Sequence, residues 1–212
     1  MANFDSAIAK VLVAEGGYQA WKADKGNYNK KGELVGTKYG ISAEAYEDYY
    51  KKTATKTAMQ NLTKEAAKEI YKKKYWNRMK GDDISSQNVA DVFLDGVVNH
   101  GKGVHLIQQV LKVTPDGAVG PITLKAINES DPNKLVTAYL DRRKGYYHEL
   151  VKADASQKEF LKGWLKRLED VKKGLTDFAE DVANSPEKKK NVALIAVSVV
   201  LVLWGISKAL ED

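Results

Sequence analysis

The sequence predicts a mainly α-helical protein, α+β only in that one short β-hairpin or loop region interrupts the helices, with a transmembrane helix at its C-terminal end. Three observations carry this prediction. Apolar residues recur at spacings of three and four along most of the chain, the stretch from Tyr18 to Ile41 is instead rich in Gly, Asn, Lys and Tyr, and Val192 to Ile206 is apolar apart from Ser198 and Gly205.

Each element has its own local reason. Phe4, Ile8, Val11 and Leu12 share one helical face, Asn3 or Asp5 suits the start and Gly16 the stop, so the first helix has Glu15 in its last turn. Tyr18 to Ile41 reads as a short hairpin or loop. Ser42 opens a short helix ending near Lys52, and Thr63 caps another that carries Ala66, Ala67, Ile70 and Tyr71. Trp76 reads as a core anchor, and Val89, Val92, Phe93, Val97 and Val98 line a buried helix. Between Val104 and Asn128 two helices flank the turn Thr114-Pro115-Asp116-Gly117, with Pro121 setting the first turn of the second. Helices over 133–154 and 156–174 follow.

The chemistry concentrates after the first helix. Glu15 is followed at once by Gly16-Gly17-Tyr18, then by Asp24 and Thr37. A carboxylate at a helix end, facing a glycine-rich loop with a second carboxylate and a hydroxyl, is the equipment of a glycosidase. At a helix C-terminus the macrodipole disfavours the Glu15 anion, and cover by Tyr18 and its loop would act in the same direction, as a general acid requires. Each residue also has a structural reading. Glu15 could be a solvated residue before a helix stop, Asp24 a loop aspartate, Thr37 a strand residue and Tyr39 half-buried packing. Tyr18, Trp21 and Tyr28 are candidates for the walls of a sugar cleft, where an aromatic face covers apolar C–H patches.

The run Phe4-Asp5 through Ala14-Glu15-Gly16-Gly17-Tyr18, and then Gly36-Thr37-Lys38-Tyr39-Gly40-Ile41-Ser42, resembles the N-terminal signature of glycoside hydrolase family 108, the phage and bacterial N-acetylmuramidases. Tyr75-Trp76, the segment 92–101 and the segment 116–124 recur in that order in the family, and Gly163-Trp164-Leu165-Lys166-Arg167 resembles its C-terminal signature. The resemblance implies a lysozyme-like fold, no cofactor, and Glu15 as the acid that protonates the glycosidic oxygen. It makes Asp24 the group that activates or positions water on the opposite face of the sugar, with Thr37 helping to hold that water. Tyr18, Tyr39, Asp95 and Asn99 become substrate contacts, although Asp95 and Asn99, one helical turn apart, also read as a structural hydrogen-bonding pair. One departure stands out: the family reaches its threonine through a shorter turn, whereas this chain inserts Lys25 to Val35. The helices after residue 98 resemble the family's peptidoglycan-binding part. The expected division is a catalytic part over 1–98, a peptidoglycan-binding part over 99–175, a linker over 176–190 and a membrane anchor over 191–210.

Composition narrows the function classes. The formal charge of +6 favours anionic partners such as wall polymers, lipopolysaccharide, acidic lipid or nucleic acid. There is no nucleic-acid-binding motif, and basic residues are interleaved with acidic ones, so nucleic acid is not expected. The absence of cysteine excludes a disulfide framework, a thiolate nucleophile and a zinc-thiolate site. His100, His105 and His148 offer no pair at metal-binding spacing, and Gly101-Lys102-Gly103 follows a helix-like segment, so neither a metal nor a dinucleotide is expected. Lys51-Lys52 and Lys72-Lys73-Lys74 read as solvated surface. The expected partners are peptidoglycan and a membrane, with the protein itself a monomer.

The tail, extended to Leu210 with Lys208 snorkelling, makes roughly 28 Å of helix against a bilayer core of about 30 Å. Met1 to Val13 lacks the basic start of a signal peptide, and Lys188 to Lys190 would hold the soluble part on the cytoplasmic side of the host inner membrane. A wall hydrolase there meets substrate in the periplasm only at lysis, which is the logic of a phage endolysin; export by a dedicated secretion system is the competing expectation. The sequence thus predicts a muramidase cutting the β-1,4 bond between N-acetylmuramic acid and N-acetylglucosamine. The alternatives are a lytic transglycosylase, in which Glu15 acts alone, and a non-catalytic wall-binding or membrane-disrupting protein.

Overall fold

The computed structural model describes residues 1–14 and 17–184. Backbone contacts divide the chain into two units, Met1–Ala153 and Asp154–Asp212.

In the first unit α1 (Phe4–Ala14) buries Phe4, Ile8, Val11 and Leu12, the face its spacing marked. Its start is fastened rather than free: the Ala2 N–H donates to the Ile84 carbonyl and the Asn3 N–H to Gln87 Oε1, both at 2.7 Å. Helix α2 (Ala43–Tyr50) is capped by Ser42 and ends on Lys51 in the left-handed conformation. Helix α4 (Lys64–Tyr71) is capped by Thr63 and buries Ala67, Ile70 and Tyr71. Between them lies α3 (Lys56–Gln60), capped by Thr55. Its five residues are too few to carry a readable periodicity, which is why the sequence shows no helix there. After α4 the chain widens into a π-helical turn, Lys72–Trp76, with the Asn77 N–H bonded to the Lys72 carbonyl at 2.9 Å.

Helix α5 (Gln87–Asn99) is the axis of the unit, packing against α1, the π-helical turn, α6 (Gly103–Leu111) and α8 (Pro132–Ala153). It is buried on every side from Val89 to Gly96, so its apolar stripe is wider than the valine pattern alone implies, and Val97 and Val98 are only half-buried. Glycine permits the tight crossings: a Cβ at Gly96 would lie 2.1 Å from the Tyr139 hydroxyl and one at Gly103 2.7 Å from Val97 Cα. Trp76 is fully buried, edge-on to Phe4, with its indole N–H donated to Asp82, the core anchor expected of it. Helix α7 (Pro121–Glu129) starts on Pro121, and buried Gln108 ties the preceding turn together through bonds to Asp116, Gly117, Ala118 and Thr123.

The hairpin region contains isolated β-bridges rather than strands among the described residues, Gln19 with Thr37, Tyr28 with Leu34 and Lys38 with Ile41. Asparagine side chains replace a ladder. Buried Asn29 accepts the N–H groups of Lys31 and Glu33 and donates to Glu33 and to the Ala54 carbonyl, which holds the tip of the loop against the start of α3.

In the second unit a 3₁₀ turn capped by Asp154 leads into α9 (Lys158–Asn184). This helix runs well past Gly174, where the sequence reading stops it, and into the stretch read as a linker. One glycine inside an amphipathic helix costs only about 1 kcal/mol, less than Leu175, buried immediately after it, returns. Among the described residues no helix is long and apolar enough to cross a membrane. The expected anchor over 191–210 lies outside them.

Candidate active site

Helix α1 delivers the chain to the loop at Ala14, and Glu15 with Gly16 lies outside the described residues. Beyond them Gln19 organises the loop. Its backbone pairs with Thr37 in both directions, at 2.9 and 2.8 Å. Its Nε2 donates to Asp24 Oδ2 at 2.9 Å, while Oε1 accepts from Asn27 Nδ2 at 2.8 Å and from the Trp21 N–H at 3.0 Å. Asp24 Oδ1 accepts the Gly26 N–H at 2.9 Å and so caps the 3₁₀ turn Lys25–Asn27, and Thr37 Oγ1 donates to the Gly26 carbonyl at 3.2 Å. A side chain begun at Gly26 would meet Asp24 Oδ1 at 3.2 Å and Thr37 Oγ1 at 3.9 Å. The glycine therefore lets carboxylate and hydroxyl approach the same patch of backbone.

The insertion between Asp24 and Thr37 leaves this meeting intact because it is stitched back on itself. Asn27 is fully buried; its carbonyl accepts the N–H groups of both Val35 and Gly36 at 2.9 Å, and its Nδ2 also reaches the Trp21 carbonyl. The Trp21 indole projects into solvent, 72 % exposed, from a backbone held by Gln19, Asp24 and Asn27.

Tyr18 and Tyr39 serve the loop's shape. The Tyr18 hydroxyl donates to the Val35 carbonyl at 3.1 Å, and its ring packs on Val35, Ala43, Ala54 and Met59. Gly36 sits at φ +88°, and a Cβ there would overlap Tyr18 Cε2 at 2.5 Å and the Gln19 carbonyl at 2.7 Å. Tyr39 and Gly40 both have positive φ, 51° and 71°, and form the two-residue turn that closes the Lys38–Ile41 bridge. The Tyr39 carbonyl is held by the Tyr71 hydroxyl at 3.1 Å. Tyr39-Gly40-Ile41-Ser42 is thus a turn, a core residue and a helix cap in succession.

Asp95 and Asn99 join a different cluster. Buried Asp95 pairs with the fully buried guanidinium of Arg143 on α8 at 2.7 Å, and Asn99 Nδ2 donates to the Asp95 carbonyl and carboxylate. Arg143 Nε donates to His100 Nε2 at 3.2 Å. Burial, and then the Arg143 charge, push His100 down to about 4. The imidazole is therefore neutral and able to accept that bond. The geometry is that of the structural pair that the sequence left open for Asp95 and Asn99.

Three residues escape the sequence reading. Nothing in one dimension marks Gln19. Asn27 follows a glycine and reads as an ordinary turn residue. Arg143 does carry a signal: Tyr139, Leu140 and Tyr147 lie three and four positions away on one buried face, and a charge on that stripe demands a partner. Among the described residues no three His, Asp or Glu side chains gather as a metal site would require.

A helical body whose first helix leads into a hydrogen-bonded loop exposing a carboxylate beside a hydroxyl is a lysozyme-like architecture, the class of the glycoside hydrolases that open peptidoglycan. Residues 8–101 match the family described as Glycosyl hydrolase 108, and residues 102–169 match a Predicted Peptidoglycan domain. The chain therefore carries a Glycosyl hydrolase 108 domain followed in sequence by a peptidoglycan domain. It is similar to the solved structure of Brucella abortus SagA, with a TM-score of 0.70 and 28% identity over 85% of this chain and 97% of that one. No curated protein matches it.

Proposed function

We propose that this peptidoglycan hydrolase is an N-acetylmuramidase that hydrolyses the β-1,4 bond between N-acetylmuramic acid and N-acetylglucosamine. Glu15 donates a proton to the departing glycosidic oxygen, Asp24 activates or orients water on the opposite face of the sugar, and Thr37 helps to hold that water. The observation that carries the reading is the Gln19 network, in which Asp24 and Thr37 flank Gly26 although the insertion separates them in the chain. A lytic transglycosylase needs its acid alone, because the muramic 6-hydroxyl replaces water; a carboxylate and hydroxyl held in register favour hydrolysis. The exposed Trp21 indole, three residues before Asp24 in the chain, offers an apolar face to a sugar ring.

The test is digestion of purified peptidoglycan by wild type and by Glu15→Gln, with muropeptides identified by mass spectrometry. Reducing muramic ends that vanish in the variant support the proposal, and anhydro ends overturn it in favour of a transglycosylase.

For the biological setting we propose a phage endolysin acting as a monomer. Its C-terminal apolar segment engages the host inner membrane, the soluble part waits on the cytoplasmic side and meets the wall in the periplasm at lysis. The support is the sequence pattern of Lys188 to Lys190 followed by the apolar run. Recovery of the catalytic part from the periplasm of intact cells would favour export by a dedicated secretion system instead.

A further inference from the structure

The first unit carries a recess of about 360 Å³ whose walls hold Lys51, Lys73, Lys74 and Arg78 beside Asp48 and Tyr49, none of them part of the Gln19–Asp24–Thr37 network. The sequence reads Lys72-Lys73-Lys74 as one solvated run, but the three side chains, all within the π-helical turn, go to different places. The Lys72 ammonium lies 5.6 Å from the Phe4 ring centroid, whereas Lys73 and Lys74 line the recess, Lys73 with its ammonium 5.2 Å from the Tyr49 ring centroid. Lys51 comes from the left-handed end of α2, and Arg78 from the segment after the turn.

The lone carboxylate of this wall, Asp48, is already engaged. It bonds Lys30 at 2.7 Å and faces Lys74 at 3.8 Å, and the Lys30 hydrogen bond holds it below the usual carboxylate range. Among the described residues the Lys51 and Arg78 side chains have no ion pair. A second recess of about 390 Å³ adjoins the first through Asp48 and Lys51, and Lys30, Lys31 and Lys52 line it together with Glu47, whose carboxylate accepts the Lys30 and Ala54 N–H groups. Cations from four stretches of chain therefore converge on a concave surface with too few anions to neutralise them. Like charges repel, and a concave low-dielectric wall focuses that field toward an incoming anion.

We propose that this basic recess binds the carboxylate-bearing stem peptides of peptidoglycan, so that the catalytic part grips the strand at a point other than the bond it cuts. The inference rests on peptidoglycan being the substrate and deepens that reading. Stem peptides present several carboxylates at intervals along a glycan strand, which suits point-charge lysines and one arginine fork around an aromatic wall better than a single tight ligand does.

The test is sedimentation of the full chain, carrying Glu15→Gln to prevent digestion, with intact sacculi and with sacculi stripped of stem peptides by an amidase. Adding Lys73→Gln and Arg78→Gln, both exposed positions, is expected to weaken binding to intact sacculi by about two- to fivefold per charge at low salt. The difference shrinks as salt rises. On stripped glycan the two proteins are expected to bind alike. An equal loss on stripped glycan, or no loss on intact sacculi, overturns the proposal. So does a loss confined to anionic phospholipid vesicles, which would make the recess a membrane contact. An unchanged melting curve for the charge variants separates these outcomes from misfolding. Muropeptide release by wild type is scored separately, so failure of the catalytic reading and failure of the recess are told apart.

Discussion

Arg143→Met is the perturbation that most directly tests the core of the first unit. The guanidinium is fully buried, its side chain 0% exposed against 7% for Asp95, and the pair is closed at 2.7 Å. Methionine replaces the volume but leaves the Asp95 carboxylate buried without that counter-charge and His100 without its donor. Breaking a buried pair from one side costs about 3–5 kcal/mol, a large share of the roughly 5–15 kcal/mol that folded domains possess. For a unit of this size that corresponds to a melting point lower by roughly 6–20 °C. The assay is denaturant unfolding at pH 7, reading the midpoint and the slope, together with peptidoglycan digestion at a temperature where the variant is folded. Asp95→Asn combined with Arg143→Met should recover part of the loss, because the stranded charge is gone. A loss below about 1 kcal/mol with an unchanged slope would refute the buried-pair account. Full stability with lost digestion would mean that Asp95 and Arg143 act on substrate instead.

Gly36→Ala should cost about 3 kcal/mol, since alanine at φ +88° is strained and its Cβ meets Tyr18 and the Gln19 carbonyl; a melting point within a degree of wild type would contradict the loop packing. His100 titrates at 6.5 when unfolded and about 4 when folded, so only the unfolded chain takes up its proton between those values. Its contribution is complete above pH 6.5 and is lost as pH falls toward 4, about 2 kcal/mol of it between pH 7 and pH 5. Urea midpoints at the two pH values measure this, and His100→Gln should flatten the dependence; an unchanged slope in the variant would place its origin elsewhere. Gln19→Ala removes the bond to Asp24 and those to Asn27 and Trp21, and is expected to lower kcat on soluble glycan roughly tenfold with little change in KM, the signature of lost positioning. A rise in KM alone would assign Gln19 to substrate binding.

Taken alone, the sequence determined what depends on near neighbours. Helical faces such as Phe4, Ile8, Val11 and Leu12, caps such as Ser42 and Thr63, the Pro121 start and the ordered motifs of the family are all set by residues within a turn or two of one another, and they were legible. Asp24 and Thr37 could be nominated one at a time for the same reason. The family resemblance set them on one water, but spacing could not show that they meet across the insertion, because that depends on the bonds of Gln19 and Asn27. Tertiary structure also decided that Asp95 faces Arg143, that Tyr18 props the loop, and that three adjacent lysines part company at a π-helical turn. In each case the partner lies far along the chain or the backbone departs from the regular period. Hydrogen bonds, burial and charge pairing then act through space, where one-dimensional spacing carries no information.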